Sequence, residues 1–427
     1  MGNEVLIKGG HVVDPATGID GRADIFIQDG KIKAISNTIQ AGKNTRVIDA
    51  TQKYVIPGLI DCHVHLREPG LEYKETIETG SRAAAIGGFT TLICEPNTMP
   101  PIDSLEMVSS LMDKVCQKSK VNIFTKACIT KGLLGEELTD IEKLAKDKRV
   151  RALSDDGNPV FYEALMKKAC ELAARNNIII SPHCEDSQVS LDKAKENKNV
   201  AHFPGKPFCH ETDFVAREIT CTEQVKGLLH VSHVSMKSTV DVIKQAKERN
   251  LASITSEATP HHLLLDDNFR NPDGTLPKTN PPLRSKEDRE SLIKGLKDGT
   301  IDVIATDHAP HTHDDIKKGS SGFVGLETAL GVILTKLVHP GILSLKEIVM
   351  KMSTNPARIF KVNGGSFAGG MPADIVVVDL NKEWTVEVNK FESKARNCPF
   401  QGWKLKGQVV TTLVGGNVVV DNGQMVC

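Results

Sequence analysis

The chain has little of several things. Of its 427 residues only three are tyrosine and two tryptophan, too few to furnish an aromatic stacking platform for nucleic-acid bases. Neither sign of charge is in excess. The 53 lysines and arginines stand against 54 acidic residues, a net charge of -1, which gives no electrostatic reason to expect nucleic acid or an anionic membrane as a partner. No apolar run approaches the roughly 20 residues that cross a bilayer. The opening Met-Gly-Asn-Glu-Val-Leu carries neither a secretory pattern nor a myristoylation signal. The ten cysteines include no Cys-x-x-Cys pair, and Cys94, Cys128 and Cys170 lie inside apolar segments. That pattern suits buried thiols in a reducing cytoplasm rather than a disulfide frame.

What is there reads as a globular enzyme-sized protein, with 40% hydrophobic and 25% charged residues. Both chain ends look all-β. Short β-branched runs such as Val5-Leu-Ile, His11-Val-Val and Ala23 to Ile27 are divided by the turn signals Gly9-Gly10, Asp14-Pro15 and Asp29-Gly30. Similar runs return at Ala373 to Asp379, Gln408 to Val414 and Asn417 to Asp421. Neither end supplies a full core alone, so one small β-sandwich domain built from both termini, residues 1-55 and 367-427, is the economical reading.

Between them the chain alternates. Apolar β-like runs occur at residues 56–61, 89–94, 121–128, 150–154, 178–183, 228–233, 252–256 and 301–307. Most gaps hold a helical pattern, as in Thr76 to Ala85, Tyr162 to Ala174, Lys237 to Arg249 and Ser285 to Lys297. Eight β-then-α units predict an α/β chain whose residues 56-366 form a closed (β/α)8 TIM-like barrel, with its chemistry at the C-terminal ends of the strands. An open doubly wound sheet is the alternative, but no glycine-rich phosphate loop follows the first strand.

The strand ends bear this expectation. The first run stops at Asp61-Cys-His-Val-His, and period-two alternation puts His63 and His65 on one face. The fourth stops at Ser154-Asp155-Asp156-Gly157, the fifth at His183, the sixth at His233 and the eighth at Asp307. Imidazoles and carboxylates converging on one rim are the ligand set of Zn²⁺ or a similar divalent ion; the plainer reading makes each a satisfied polar residue at the edge of the core. A bound ion lowers the pKa of water from about 15.7 towards 7, and a second could polarise a substrate carbonyl. Asp307 is placed to take the proton and return it to a leaving nitrogen, which suits hydrolysis of an amide-like bond or its reversal.

Arg67, with the strand parity of His65, can hold a substrate carboxylate bidentately. Asn97 and Asn280 offer a donor and an acceptor each, although beside proline an asparagine is also a turn former. Glu68 and Asp61 read as supporting or solvated residues, and His230, three residues before His233, as a packing residue on the opposite face. His261 and His262 read as structural or near the site. His311 and His313 sit in a hydrophilic loop able to close over a ligand, and His202 and His210 in a long loop where exposure is the default.

Asp61-Cys-His-Val-His-Leu-Arg-Glu-Pro-Gly resembles the dihydroorotase signature within the amidohydrolase superfamily. Glu95-Pro-Asn-Thr, Ser154-Asp-Asp-Gly, His183-Cys-Glu-Asp, His233-Val-Ser, Lys278-Thr-Asn-Pro-Pro-Leu-Arg, Ala305-Thr-Asp-His-Ala-Pro-His, Val324-Gly-Leu-Glu-Thr and Ser393 to Trp403 extend the likeness nearly end to end. The resemblance, to the bacterial long-chain type (class I), implies reversible cyclisation of N-carbamoyl-L-aspartate to dihydroorotate in pyrimidine synthesis. It implies one or two zinc ions held by His63, His65, His183, His233, Asp307 and the second aspartate of the pair, Asp156, with Asp155 in reserve. It further implies substrate contacts from Arg67, Asn97, Asn280, His311 and the backbone near Gly322. The partners implied are the small-molecule substrate, a second copy of the chain in a homodimer, and aspartate transcarbamoylase. Many amidohydrolases bridge two metals with a carboxylated lysine at the end of strand four; here Lys148 precedes that strand, and Asp156 can bridge instead. The competing readings are a hydantoinase, dihydropyrimidinase or allantoinase, which need no Arg67, and an inactive scaffold, which would not keep a complete ligand set.

Overall fold

A computed structural model describes residues 4–185, 211–271, 274–275 and 277–426. The N-terminal end supplies β1 (Glu4–Asp14), β2 (Ile19–Gln28), β3 (Lys31–Ser36), β4 (Arg46–Asp49) and β5 (Tyr54–Pro57). The middle supplies β6 (Leu59–Val64), β7 (Phe89–Cys94), β8 (Asn122–Ala127), β9 (Val150–Leu153), β10 (Ile179–Ile180), β11 (Leu228–Val231), β12 (Ser253–Ala258) and β13 (Val303–Ile304). The C-terminal end supplies β14 (Ile375–Thr385), β15 (Lys404–Val414), β16 (Asn417–Asp421) and β17 (Gln424–Met425).

The two ends of the chain share one sheet. Its nine strands run β17-β16-β15-β14-β5-β1-β2-β3, with β4 beside β1, and the junction is the antiparallel pairing of β14 with β5. Ile7, Val12, Ile25, Ile27, Val55, Ile375, Val377 and Leu413 bury its core, so the apolar faces of the two ends complete each other. Gly9-Gly10, expected to be a turn, lies inside β1. The pairing with β2 shifts register between Ile7 and Gly10, and Gly9 takes φ +74°, the behaviour of a β-bulge that only bends the strand.

The eight strands β6 to β13 pair in chain order, all parallel. The seam between first and last is closed by a bridge from Val64 to His308 and by the His65 N–H donating to the His308 carbonyl at 2.8 Å. The run 56–61, read as one strand, divides at Gly58: Tyr54–Pro57 belongs to the terminal sheet and Leu59–Val64 opens the barrel. A side chain at Gly58 would collide with Thr90, so the close approach of chain to chain requires glycine there.

Helices cover the barrel. Ile77–Gly87 starts at Thr76, whose side chain caps it in a box with Thr79, and stops at Gly88 with φ +86°. Lys286–Asp298 repeats that logic with Ser285, Asp288 and Gly299. Glu163–Arg175 and Lys237–Arg249 fall where the periodicity put them. Inside the barrel, Ile60, Cys62, Ile93, Ala152, Ile179 and Val303 pack with Ala357, Ile359 and Phe360 of the segment that begins with the helix Asn355–Ile359. That apolar layer fills the interior below the polar rim.

Candidate metal centre

Each expected ligand comes from a strand end. His63 is in β6 and His65 lies just beyond it; Asp156 follows β9, His183 follows β10, His233 follows β11 and Asp307 follows β13. All six are buried. His63 Nε2 lies 3.4 Å from Asp156 Oδ1 and 3.6 Å from Asp307 Oδ1. His65 Nε2 lies 3.2 Å from Asp307 Oδ1 and 3.6 Å from Asp156 Oδ2. On the other side, Asp156 Oδ1 is 3.4 Å from His183 Nδ1 and 3.7 Å from His233 Nε2, and those two nitrogens are 2.9 Å apart. The Asp156 carboxylate thus lies between two pairs of histidines.

These atoms suit a metal. Donors about 2.1 Å from a tetrahedral ion lie about 3.4 Å from one another, close to most of the separations above. His63 Nε2 is fully buried with no hydrogen-bond partner, which is costly unless something electropositive occupies the space it faces. Among the described residues three triads meet the ligand geometry, and two of them belong to this cluster, His63 with Asp156 and His233, and His63 with His65 and Asp307; the third, Cys62 with His230 and Glu257, lies beside it. The tautomers also suit it. His63 Nδ1 donates to Glu257 Oε1 at 2.6 Å, and His65 Nδ1 donates to Asn97 Oδ1 at 2.9 Å. Each leaves Nε2 as the atom turned to the shared space.

The electrostatics favour positive charge there. Burial pushes the His63 ring down, but the carboxylates of Glu95 and Glu257 outweigh it and hold the ring well above its ordinary value. Burial pushes Asp156 up, and the close imidazoles of His183, His233 and His63 overcome it, bringing the carboxyl well below the usual range. For Asp307 the same contest, won by His65 and the charge of His63, ends at about 2.

Strand parity carries His63 but not all the rest. Arg67, His233 and Asp307 sit beyond the last paired residue of their strands with φ of +62°, +33° and +49°. Such left-handed backbone is rare outside glycine and concentrates at functional sites. His230 shows the consequence: it faces the barrel interior as His233 does, with Nε2 3.0 Å from Glu257 Oε2. Alternation from His230 to His233 fails because the backbone leaves the strand at Val231.

Asp155, the reserve ligand, turns away. Its oxygens accept from the backbone N–H groups of Ile129 and Thr130, at 2.8 and 3.0 Å, and from the Thr130 hydroxyl. Asp61 is buried, not solvated, and accepts from the N–H groups of His63 and Thr306. Glu68 is likewise buried; it pairs with Lys118 at 2.7 Å and accepts from the Ile77 N–H. His261 and His262 belong to the short helix Pro260–Leu264, where His261 Nε2 meets Thr279 and His262 Nε2 donates to the Pro281 carbonyl. His313 opens an exposed helix, and His202 and His210 lie outside the described residues.

A cavity of about 470 Å³ opens above the cluster, and Arg67, Asn97, Asn280, His311 and Gly322 all line it. Arg67 is only 8% exposed; its Nε donates to the Pro310 carbonyl and its Nη2 lies 3.2 Å from His311 Nε2. Lys74 Nζ is 3.3 Å from His311 Nδ1. Burial first, then the charges of Arg67 and Lys74, bring His311 down to about 3, a neutral ring at physiological pH. Asn97 donates to Asp156 Oδ2 at 3.1 Å, and Asn280 Nδ2 lies 3.0 Å from His183 Nε2, so each amide also touches a candidate ligand. The Gly322 N–H and carbonyl are taken by Lys278 and Asn397.

Three buried residues escaped the sequence reading. Glu257 lies in β12, one residue past the run read as a strand, on the same parity as Thr255. Glu95 follows β7, and Lys126 lies in β8. A lysine and a glutamate embedded in apolar runs were the available signals.

Comparison with known proteins places the chain in a family. The amidohydrolase family model matches residues 54–419. A dihydroorotase of Acetivibrio thermocellus is 46% identical over 97% of this chain and 99% of its own length, and one of Ruminiclostridium cellulolyticum is 45% identical over 98% of each. Among solved structures, the L-hydantoinase (dihydropyrimidinase) of Arthrobacter aurescens superposes with a TM-score of 0.88 at 27% identity, covering 100% of this chain and 98% of its own.

Proposed function

The chain belongs to the dihydroorotases of the amidohydrolase family, and from that premise we propose how its residues divide the labour of the reaction. The activity is the reversible cyclisation of N-carbamoyl-L-aspartate to dihydroorotate, a cyclic amide that keeps a carboxylate outside the ring. The observation that carries the assignment over a hydantoinase reading is Arg67, a buried guanidinium lining the cavity beside the histidine–aspartate cluster. A ring without a carboxylate gives such a group nothing to pair with.

His63, His65, Asp156, His183, His233 and Asp307 would hold the metal, and their imidazole-rich set supports zinc, as one or two ions. Asp156, lying between the two histidine pairs, would be a donor within reach of both. A divalent ion there supplies Lewis acidity, lowering the pKa of a water from about 15.7 towards 7 and polarising the amide carbonyl.

The chain's own groups do the rest. Asp307, ionised at neutral pH, takes the proton from the attacking water in the hydrolytic direction and delivers it to the departing ring nitrogen; ring closure reverses the transfer. Arg67 anchors the substrate carboxylate bidentately, and neutral His311 beside it offers a hydrogen bond. Asn280 at the cavity wall orients the ring, while Asn97 holds His65 and Asp156 in register. A reducing cytoplasm suits the chain, because the cysteines among the described residues are free thiols and six of them are buried. No helix among the described residues is long and apolar enough to cross a membrane.

The test is hydrolysis of dihydroorotate beside hydantoin and allantoin, with and without chelator. Dihydroorotate turnover that chelator abolishes and zinc restores is the expected result. Turnover of hydantoin alone would overturn the substrate, and turnover indifferent to chelator would overturn the metal.

A further inference from the structure

The mechanism leaves two buried charges unused, Glu95 and Lys126, whose side chains are wholly buried. Glu95 stands just past β7 with its N–H bonded to the Val64 carbonyl. Lys126 reaches in from β8, and its Nζ pairs with Glu95 Oε1 and lies 3.0 Å from Ser181 Oγ. Burial works against the Lys126 ammonium, but the Glu95 carboxylate outweighs it and keeps the charge in place.

A closed ion pair does not account for where Glu95 points. Its Oε1 is 3.6 Å from His63 Nε2, no farther than Asp307 Oδ1 and close to the 3.4 Å of Asp156 Oδ1. Glu95 Oε1 has only the Lys126 ammonium, Glu95 Oε2 and His63 Nε2 have no hydrogen-bond partner, and all three atoms are buried. Three carboxylates therefore surround one imidazole nitrogen, while one ammonium touches only one of them. Three carboxylates sharing one ammonium at this depth are strongly unfavourable unless a further cation joins them.

We propose that Glu95 is a further carboxylate donor of the metal centre, tethered in place by Lys126. The inference rests on the reading of the histidine–aspartate cluster as a metal site. It assigns the centre an oxygen donor from strand two of the barrel, and it makes Lys126 a positioning residue acting through Glu95. The Lys126 charge also explains how three carboxylates are tolerated side by side before a metal arrives.

The test follows the metal rather than turnover. Unaltered protein, E95Q and the charge-removing double variant E95Q/K126M are loaded with Zn²⁺ and Co²⁺. Metal content, release to a chelator and the visible spectrum of the cobalt form are then recorded. Loss of the donor predicts release faster by at least about ten-fold and a changed cobalt spectrum in both variants. Unchanged release and spectrum in both would overturn the Glu95 assignment while leaving the metal centre standing. Unaltered protein that retains no metal would overturn the centre itself. K126M adds an independent measure. With Glu95 as a donor, loading raises Tm more in K126M than in the unaltered protein, because the ion relieves a carboxylate left without its ammonium. An equal rise would reduce the pair to a structural ion pair.

Discussion

Glu257 Oε1 lies 2.6 Å from His63 Nδ1, while Oε2 of the same carboxylate accepts from Cys62 Sγ and His230 Nε2, each at 3.0 Å. One side chain from the seventh barrel strand therefore fixes both the tautomer and the tilt of a candidate ligand from the first. Such a carboxylate–histidine contact orients a metal ligand and raises its basicity. Glu257→Gln keeps the shape but weakens the bond, and metal affinity should fall by about 10–100-fold. Zinc titration of the metal-free protein checks this; an affinity within two-fold of the original would refute the role.

The aspartate pair separates ligand from scaffold. Asp156→Asn should abolish zinc retention on a desalting column. Asp155→Asn should retain zinc, yet lose about 1–3 kcal/mol of stability, because the buried carboxylate holds two backbone N–H groups and the Thr130 hydroxyl. Metal analysis beside denaturant unfolding distinguishes the two. The reverse pattern would exchange their roles.

Arg67→Met should raise KM for dihydroorotate by about 10–100-fold, the worth of a charge-assisted bidentate contact, with zinc content unchanged. Loss of zinc instead would mean that the guanidinium supports the metal ligands and not the substrate.

Glu327 supplies a pH test away from the metal. Burial, with Glu392 and Glu75 nearby, raises its carboxyl from 4.5 to about 7. The folded chain then binds more protons than the unfolded one between those values. The contribution of this group is complete below pH 4.5 and lost as pH rises through about 7. That amounts to about 3 kcal/mol at most. Glu327→Gln should therefore flatten the fall in stability between pH 5 and pH 8, measured by denaturant midpoints at each. A slope equal to that of the unaltered chain would sink the assignment.

The sequence by itself determined the barrel and the rim. Eight apolar runs, each followed in most cases by a helical period, leave few arrangements that bury both faces of the strands. Runs ending at or just before His63, Asp156, His183, His233 and Asp307 put these side chains on one rim, where the structure brings them together. Period-two alternation works there because it is local.

Tertiary structure decided whatever depends on partners distant in the chain or on backbone that has left the strand. Asp155 and Asp156 are alike in sequence; only the N–H groups of Ile129 and Thr130, brought alongside by the third strand, draw one away from the rim. His230 and His233 share the interior because the chain turns at a residue with φ +33°, which no periodicity encodes. Glu95, Lys126 and Glu257 read as stray charges in apolar runs until the barrel closes. A charge can be held at that depth only by an opposite one, and which opposite charge it meets is a property of the closed fold.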